Sequence, residues 1–310
     1  MPSTRREFVA SSLGLAAALV TSGCIDDAPG TGSESPTDSP KGSPSGTQTP
    51  PPESAERSVG GDTVAVTDVV ARKAVTYDSM MGSGGVVATE GRQFVVATVH
   101  SDAELEMEQF SLAAGGESWH AVDPGEHGAQ NYAVADHEGG VVGEPATGGE
   151  DANRYVAFEL DSPLEPATPA EGDSPQIVIE NGGERGRWPL PDEARETLAA
   201  PSPSFELDSL DVPESVQQGD PLDVELTATN TSETDGRFLA AVYWPTHMVA
   251  DDDESHLIEE SVDADESVTA SLSLATEYTS AEESPISLRV EGYVEAEQDV
   301  VVEGGTATPE

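Results

Sequence analysis

The chain has a single cysteine, Cys24, so no disulfide can form within it. Basic residues are almost as scarce, with 13 against 60 acidic ones over 310 residues, a formal net charge of -47, and only Lys41 and Lys73 as lysines. No basic patch remains to meet phosphates, and this excludes nucleic acid as a partner. After residue 23 no apolar run approaches the ~20 residues that a membrane-spanning helix needs. Gly-x-Ser-x-Gly, His-Glu-x-x-His and phosphate-cradling glycine loops are also absent, so no catalytic motif points to an enzyme.

The acidic excess is spread along the whole chain and not gathered into blocks, which marks a surface adapted as a whole. Such a charge repels itself in dilute buffer, and molar salt, with a Debye length of about 3 Å, screens it. The composition resembles that of haloarchaeal proteins. Hydrophobic residues make up only 36%, diluted by a long polar stretch, and Val and Ala outnumber Leu, Ile and Phe, which favours half-buried strands over helices.

At the N-terminus, Ser3-Thr4-Arg5-Arg6-Glu7-Phe8-Val9 precedes a modestly apolar run from Val9 to Thr21. The segment resembles a twin-arginine export signal, matched at Arg5, Arg6 and Phe8, with Val9 and Ala10 where that motif has Leu-Lys. Thr21-Ser22-Gly23-Cys24 resembles a lipobox with Thr21 in place of its usual Leu. The resemblance implies a twin-arginine signal peptide over 1–23, lipidation at Cys24 and attachment to the outer face of the cell membrane. The alternative is an ordinary signal peptide with a chance cysteine. Two long acyl chains would hold firmly at about 0.8 kcal/mol per buried methylene, whereas one would not. With Cys24 assigned to the anchor, no thiolate is left for a blue-copper site.

Residues 24–61 are rich in Pro, Ser, Thr and Gly and have little to bury, so the sequence predicts a disordered linker. As a coil, about 37 residues span roughly 35 Å, the reach of a tether. From Asp62 onward, short alternating runs broken by Gly, Asp and Pro predict an all-β protein. Expected strands are 64–70, 93–99, 154–160 and 176–180 in a first β-sandwich-like domain over 62–195, with a long glycine-rich loop from Gly115 to Asp151. Expected strands in a second domain over 202–303 are 205–213, 222–231, 237–244, 257–258, 267–274, 286–294 and 299–302, and 304–310 is a tail. About seven strands in roughly 100 residues is the count of an immunoglobulin-like sandwich. In 222–228, Leu222, Val224, Leu226 and Ala228 face one way and Asp223, Glu225 and Thr227 the other. One helix is expected near 192–200, and Trp188-Pro189-Leu190-Pro191 is a candidate hinge between the domains.

The order of a strand, Val212-Pro213, a Gly219-Asp220 turn, and a strand ending in Thr229-Asn230-Thr231 is similar to the CARDB-like family of surface β-sandwiches. The first domain loosely resembles immunoglobulin-like modules of prokaryotic lipoproteins, through Gly91-Arg92-Gln93-Phe94-Val95-Val96. Both resemblances imply fold more than function.

Asn230-Thr231-Ser232 is a sequon, making Asn230 a possible N-glycosylation site. His120, His127 and His137, with Asp123, Glu126, Asp136 and Glu138, could in principle hold zinc or copper, but their spacing fits no ligand pair, and they read as solvated loop residues. Asp251-Asp252-Asp253-Glu254 lacks the spaced ligands of a calcium loop and reads as a solvated loop. Trp119, Trp188 and Trp244 read as packing residues. No metal, cofactor or catalytic residue is expected. The expectation is a non-catalytic surface lipoprotein of a halophile that binds a protein or glycan partner. A transporter's solute receptor, built from two α/β lobes, and an enzyme with a loop-borne site remain as alternatives.

Overall fold

The structure is a computed structural model that describes residues 55–79, 84–125, 131–144, 153–164, 174–245, 253–279 and 285–304. Strands of the first domain are β1 (Glu56–Val59), β2 (Asp62–Arg72), β3 (Val75–Ser79), β4 (Gly85–Val87), β5 (Arg92–Ser101), β6 (Phe110–Ala114), β7 (Glu117–Val122), β8 (Asn131–Val134), β9 (His137–Glu138), β10 (Arg154–Asp161), β11 (Gln176–Asn181) and β12 (Glu184–Pro189), followed by helix α1 (Asp192–Ala199). The second holds β13 (Phe205–Asp211), β14 (Ser215–Gln217), β15 (Leu222–Asn230), β16 (Gly236–Pro245), β17 (Asp253–Val262), β18 (Ser267–Leu274), β19 (Ile286–Gly292) and β20 (Ala296–Glu303). The chain is all-β, as its alternating runs predict. Among the described residues no helix is long and apolar enough to cross a membrane.

In the first domain eight strands run in the order β1-β2-β5-β10-β7-β6-β11-β12, and β4-β3-β8-β9 form a second sheet. Phe94, Phe110, Tyr155, Phe158, Leu160, Ile177 and Ile179 are fully buried between them. A sheet of this width has two exposed edges unless they are covered. Here the ends meet: Asn181 Nδ2 donates to Val59 O (3.2 Å) and Asp62 Oδ2 (2.9 Å), Gly60 N to Glu184 Oε2 (2.9 Å), and Trp188 Nε1 to Ala55 O (2.7 Å). Arg57 lies 5.6 Å over the Trp188 ring. Gly186 is required at this seam, because a Cβ there would lie 2.6 Å from Val59 Cγ2 and 2.5 Å from the Trp188 ring.

The second domain is a sandwich of β13-β15-β18 against β14-β20-β19-β16-β17. Leu222, Val224, Leu226 and Ala228 of β15 face Phe238, Ala240, Val242 and Trp244 of β16 and Leu288 and Val290 of β19 across the core. The outward residues of β15 and β18 are Ser, Thr and carboxylates, the wet face expected of an antiparallel sheet. Among the named strands the ladders are antiparallel except β14 with β20, which is not the parallel framework of two α/β lobes.

Four boundaries differ from the sequence reading. Among the described residues the first strand, β1, lies inside the stretch expected to be linker, where Glu56–Val59 pairs with Asp62–Ala65. The glycine-rich segment after Gly115 carries β7, β8 and β9. Among its described residues the second domain has eight strands, the short β14 being the addition. Trp188–Pro191 is no hinge: Trp188 and Leu190 are 5% and 3% exposed, and Ala194 and Leu198 of α1 pack into the first core. The connector is therefore 200–204.

The two sandwiches also touch. Tyr243 of β16 donates its hydroxyl hydrogen to Gly84 O (3.2 Å), Tyr77 of β3 hydrogen-bonds to it, and Arg289 lies 5.1 Å over its ring. A Cβ on Gly85 would come within 2.0 Å of the Tyr243 hydroxyl, so only glycine allows this approach. Arg72 of the first domain lends its charge to Glu259 of the second, whose carboxyl is held below its usual range chiefly by the hydrogen bond from Arg237.

Candidate functional site

Arg5, Arg6, Phe8 and Cys24, and with them His127, Glu126, Asp251 and Asp252, lie outside the described residues. Among those described, no three His, Cys, Asp or Glu side chains are grouped to hold a metal. His120 is exposed on β7. Asp123 serves the fold, accepting from Tyr155 Oη (2.7 Å) and Asn131 Nδ2 (3.1 Å).

Asn230 is not a glycan site in the folded chain. It ends the inward-facing row of β15 and is fully buried. Its Nδ2, the atom a glycan would occupy, donates to the carbonyls of Thr234 (2.8 Å), Val262 (3.3 Å) and Asp263 (3.3 Å), and its Oδ1 accepts from Ser232 N (3.1 Å) and Ser232 Oγ (2.6 Å). The sequon serine thus closes an Asx-type turn onto its own asparagine.

His137 is not a solvated loop residue. It is 7% exposed on β9, with Nδ1 2.8 Å from Ala135 O and Nε2 2.7 Å from Asp68 O. Both carbonyls come from unusual backbone. Ala135 (φ 48°) and Asp136 (φ 66°) make the two-residue turn between β8 and β9, and Asp68 (φ 50°) sits in a bulge of β2 opposite β5. Positive φ at both turn positions is the geometry that Asn-Gly usually supplies. For alanine the left-handed conformation costs roughly 1–2 kcal/mol. Nearby, Thr67 Oγ1 donates to Asp68 Oδ2 (2.9 Å) and lies 3.2 Å from His100 Nε2. Burial lowers the pKa of His100, against the pull of Asp68. Burial, and then the charges of Asp136 and Glu138, raise that of Asp78 on β3.

Lys73, in the bend between β2 and β3, forms a second polar centre. Its Nζ donates to Gln93 Oε1 (2.6 Å), Ser162 Oγ (3.0 Å) and Ala200 O (2.6 Å), three uncharged acceptors. Gln93 is fully buried and donates to Asp161 O (2.8 Å) and Leu198 O (3.2 Å), while Ser162 Oγ lies 2.8 Å from Ser202 Oγ. The amine therefore ties β5, the segment after β10, the end of α1 and the connector to one point. A lysine beside a serine hydroxyl is also the core of a Ser–Lys acyl-transfer pair. Here Ser162 turns to Ser202 of the connector, and Lys73 acts as a tie that also satisfies the carbonyl of Ala200, the residue that caps the C-terminus of α1.

Burial pushes the Lys73 pKa from 10.5 down to about 8. Between those values the unfolded chain binds more protons at this residue than the folded one, so its contribution to stability rises with pH across that window. Urea unfolding at pH 7.5 and 9.5 is expected to show the wild type gaining stability relative to Lys73→Met as pH increases. An unchanged difference between the two proteins would refute the burial effect.

Sequence reasoning passed over Lys73, Gln93 and the Asp68 bulge. Gln93 did carry a signal, as a polar residue leading a run of buried positions in β5. Lys73 carried another, as the single lysine beyond the linker in a chain of 60 acidic residues.

No protein-family model matches the chain, and no curated protein does either. Among solved structures it is similar to a beta-glucosidase from Listeria innocua in complex with isofagomine, at 22% identity over 34% of this chain and 17% of that one, with a TM-score of 0.28. A DUF4785 family protein from Legionella pneumophila aligns at 13% identity over 77% of this chain and 57% of that one, with a TM-score of 0.20. A calcium-binding mutant of Bacteroides uniformis beta-glucuronidase 2 aligns at 9% identity over 73% and 28%, with a TM-score of 0.22. The chain spans about a sixth of the length of the beta-glucosidase it matches. Likenesses this distant carry no argument about activity.

Proposed function

We propose that this chain is a non-catalytic lipoprotein of a halophile, exported by the twin-arginine route, held at the outer face of the cell membrane through Cys24, and binding a protein or glycan partner there with its β-sandwiches. The observation that carries the reading is the position of Cys24, the only cysteine, between a short apolar run and a Pro/Ser/Thr-rich stretch. Among the described residues the first strand begins at Glu56, within the last part of that stretch. The acidic composition suits a partner met in concentrated salt.

The test is detergent phase partitioning and intact mass of the mature protein, wild type against Cys24→Ser. The wild type is expected in the detergent phase with a lipid mass on Cys24, and the variant in the aqueous phase. An unlipidated wild type would reduce the proposal to secretion, and robust turnover in a hydrolase panel at 2–4 M salt would remove its non-catalytic part.

A further inference from the structure

The row of β16 that faces away from the second core is buried as well. Leu239, Ala241 and Tyr243 alternate with Phe238, Ala240, Val242 and Trp244, yet they are only 1%, 0% and 8% exposed. A sandwich standing alone would turn this row to water. Here β4 of the first domain packs over β16, β17 and β19 and covers it. Opposite the row, on the same face, stand Leu257 and Glu259 of β17 and Arg289 and Glu291 of β19. Arg237 pairs with Glu259 and Arg289 with Glu291, so a charged rim surrounds an apolar centre, which is the anatomy of a specific interface. The cover ends at Leu257, which is left exposed. We propose that the two sandwiches are one rigid body, docked through the β3–β4 hairpin, so that they present a single surface of fixed shape and not two modules on a hinge.

Glycine makes the docking possible on the side of the first domain. Gly85 stands opposite Tyr77 in the β3–β4 ladder, and its bare face admits the Tyr243 hydroxyl beside that of Tyr77, itself 2.9 Å from where a Cβ would lie. Gly125 closes on Tyr77 from another side, since a Cβ there would lie 2.5 Å from the ring. Tyr77 is buried as Tyr243 is, and the hydroxyl of Tyr243 reaches Gly84 O (3.2 Å). Val86 and Val87 complete the hairpin and are half-buried. At the margin, the charge of Arg72 on β2 acts on Glu259 across the junction.

The connector offers no hinge either. Relative motion is the default for two domains in one chain unless their interface is apolar and close, and a hinge needs residues free to change φ and ψ. Ala200 O accepts from Lys73 Nζ (2.6 Å) and Ser202 Oγ lies 2.8 Å from Ser162 Oγ, which holds the first half of 200–204 to the first domain. Pro203 is buried against Gly236, where a Cβ would lie 2.5 Å from Pro203 Cβ, and Ser204 O accepts from Thr231 N (2.8 Å) and Thr231 Oγ1 (3.2 Å), which holds the second half to the second domain. The covered face and the clamped connector are separate restraints on the same junction.

The test is ¹⁵N relaxation with residual dipolar couplings in molar KCl, on the full chain carrying Cys24→Ser, read at the amides of β5 and β10 and of β15 and β19. One rotational correlation time and one alignment tensor are expected for both pairs of strands. Two tensors, or correlation times that differ between the pairs, overturn the proposal with no need of a variant in the junction. Gly85→Leu then tests the hairpin, because Gly85 has no positive φ and the added side chain is the only wedge. Its β15 and β19 amides are expected to tumble about 1.5-fold faster than those of β5 and β10, as befits the smaller of two separated bodies. Retained strand shifts in both domains will mark the variant as folded. A folded Gly85→Leu chain that still tumbles as one body would show that the hairpin does not dock the sandwiches. Two freely moving sandwiches would leave lipidation at Cys24 untouched, and an unlipidated wild type would leave the rigid junction standing.

Discussion

Replacing Asn230 by aspartate is expected to destabilise the second domain by about 3–5 kcal/mol, the cost of a buried charge stripped of a partner. The change is nearly isosteric, so its effect is electrostatic and not steric. Where Nδ2 donates to Thr234 O, Val262 O and Asp263 O, the variant presents an oxygen to three carbonyl oxygens in a fully buried site. Either the carboxylate keeps its charge against those dipoles, or it takes up a proton and donates to only one of them. Asn230→Ala is expected to cost less, about 1–3 kcal/mol, because it removes the donor without adding a repulsive group. Urea unfolding at fixed KCl, followed by circular dichroism, measures the order. If the aspartate variant proves as stable as the alanine variant, the network around Nδ2 does not hold this corner. Intact mass of wild type from its native host is expected to show Asn230 without a glycan, because the folded chain presents no Nδ2 hydrogen outward.

The same residue shows where sequence and structure part. Period-two alternation through Leu222, Val224, Leu226 and Ala228 was legible, and carried two residues further it places Asn230 on the inner face. The sequon pattern pulled the other way, toward an exposed turn. Packing decided between them, because a buried amide that makes five hydrogen bonds is part of the core.

Strands with both periodicity and apolar content, such as β5, β10, β15 and β16, were therefore readable. β7 was not: Glu117, Ser118 and His120 are exposed and Trp119 only half-buried, so no alternation survives in its residues. β12 hides behind Glu184, Arg185 and Arg187, and its glycine looks like a strand breaker until Val59 and the Trp188 ring are seen to occupy the space where a Cβ would stand. The β8–β9 turn lacks the Asn-Gly signal because its conformation is supported by His137 from outside the turn and not by the residues within it. The polar centres depend on segments as distant as Lys73 and Ala200, a pairing that no local pattern encodes.

Trp244→Ala is expected to lower the stability of the second domain by about 3–5 kcal/mol, as loss of a large buried aromatic does. Trp244 is 1% exposed on β16, in the core that β15 and β19 complete, and its Nε1 donates to Thr279 Oγ1 (2.9 Å). Thr279, itself 2% exposed, passes the interaction on by donating to Pro245 O (3.2 Å), and its own carbonyl accepts from Gln218 Nε2 (2.8 Å). One indole thus fills the core and ties the end of β16 to the segments that follow β18 and β14. Trp244→Phe separates the two roles: it keeps most of the ring and loses the hydrogen bond, so about 1–2 kcal/mol is expected. The neighbouring Tyr243 reaches Gly84 of the first domain, so the alanine variant should also weaken the contact between sandwiches. A urea titration should then resolve two transitions where one is expected for the wild type, the earlier belonging to residues 205–303. A single unshifted transition for Trp244→Ala would mean that neither the second core nor its contact with the first rests on this side chain.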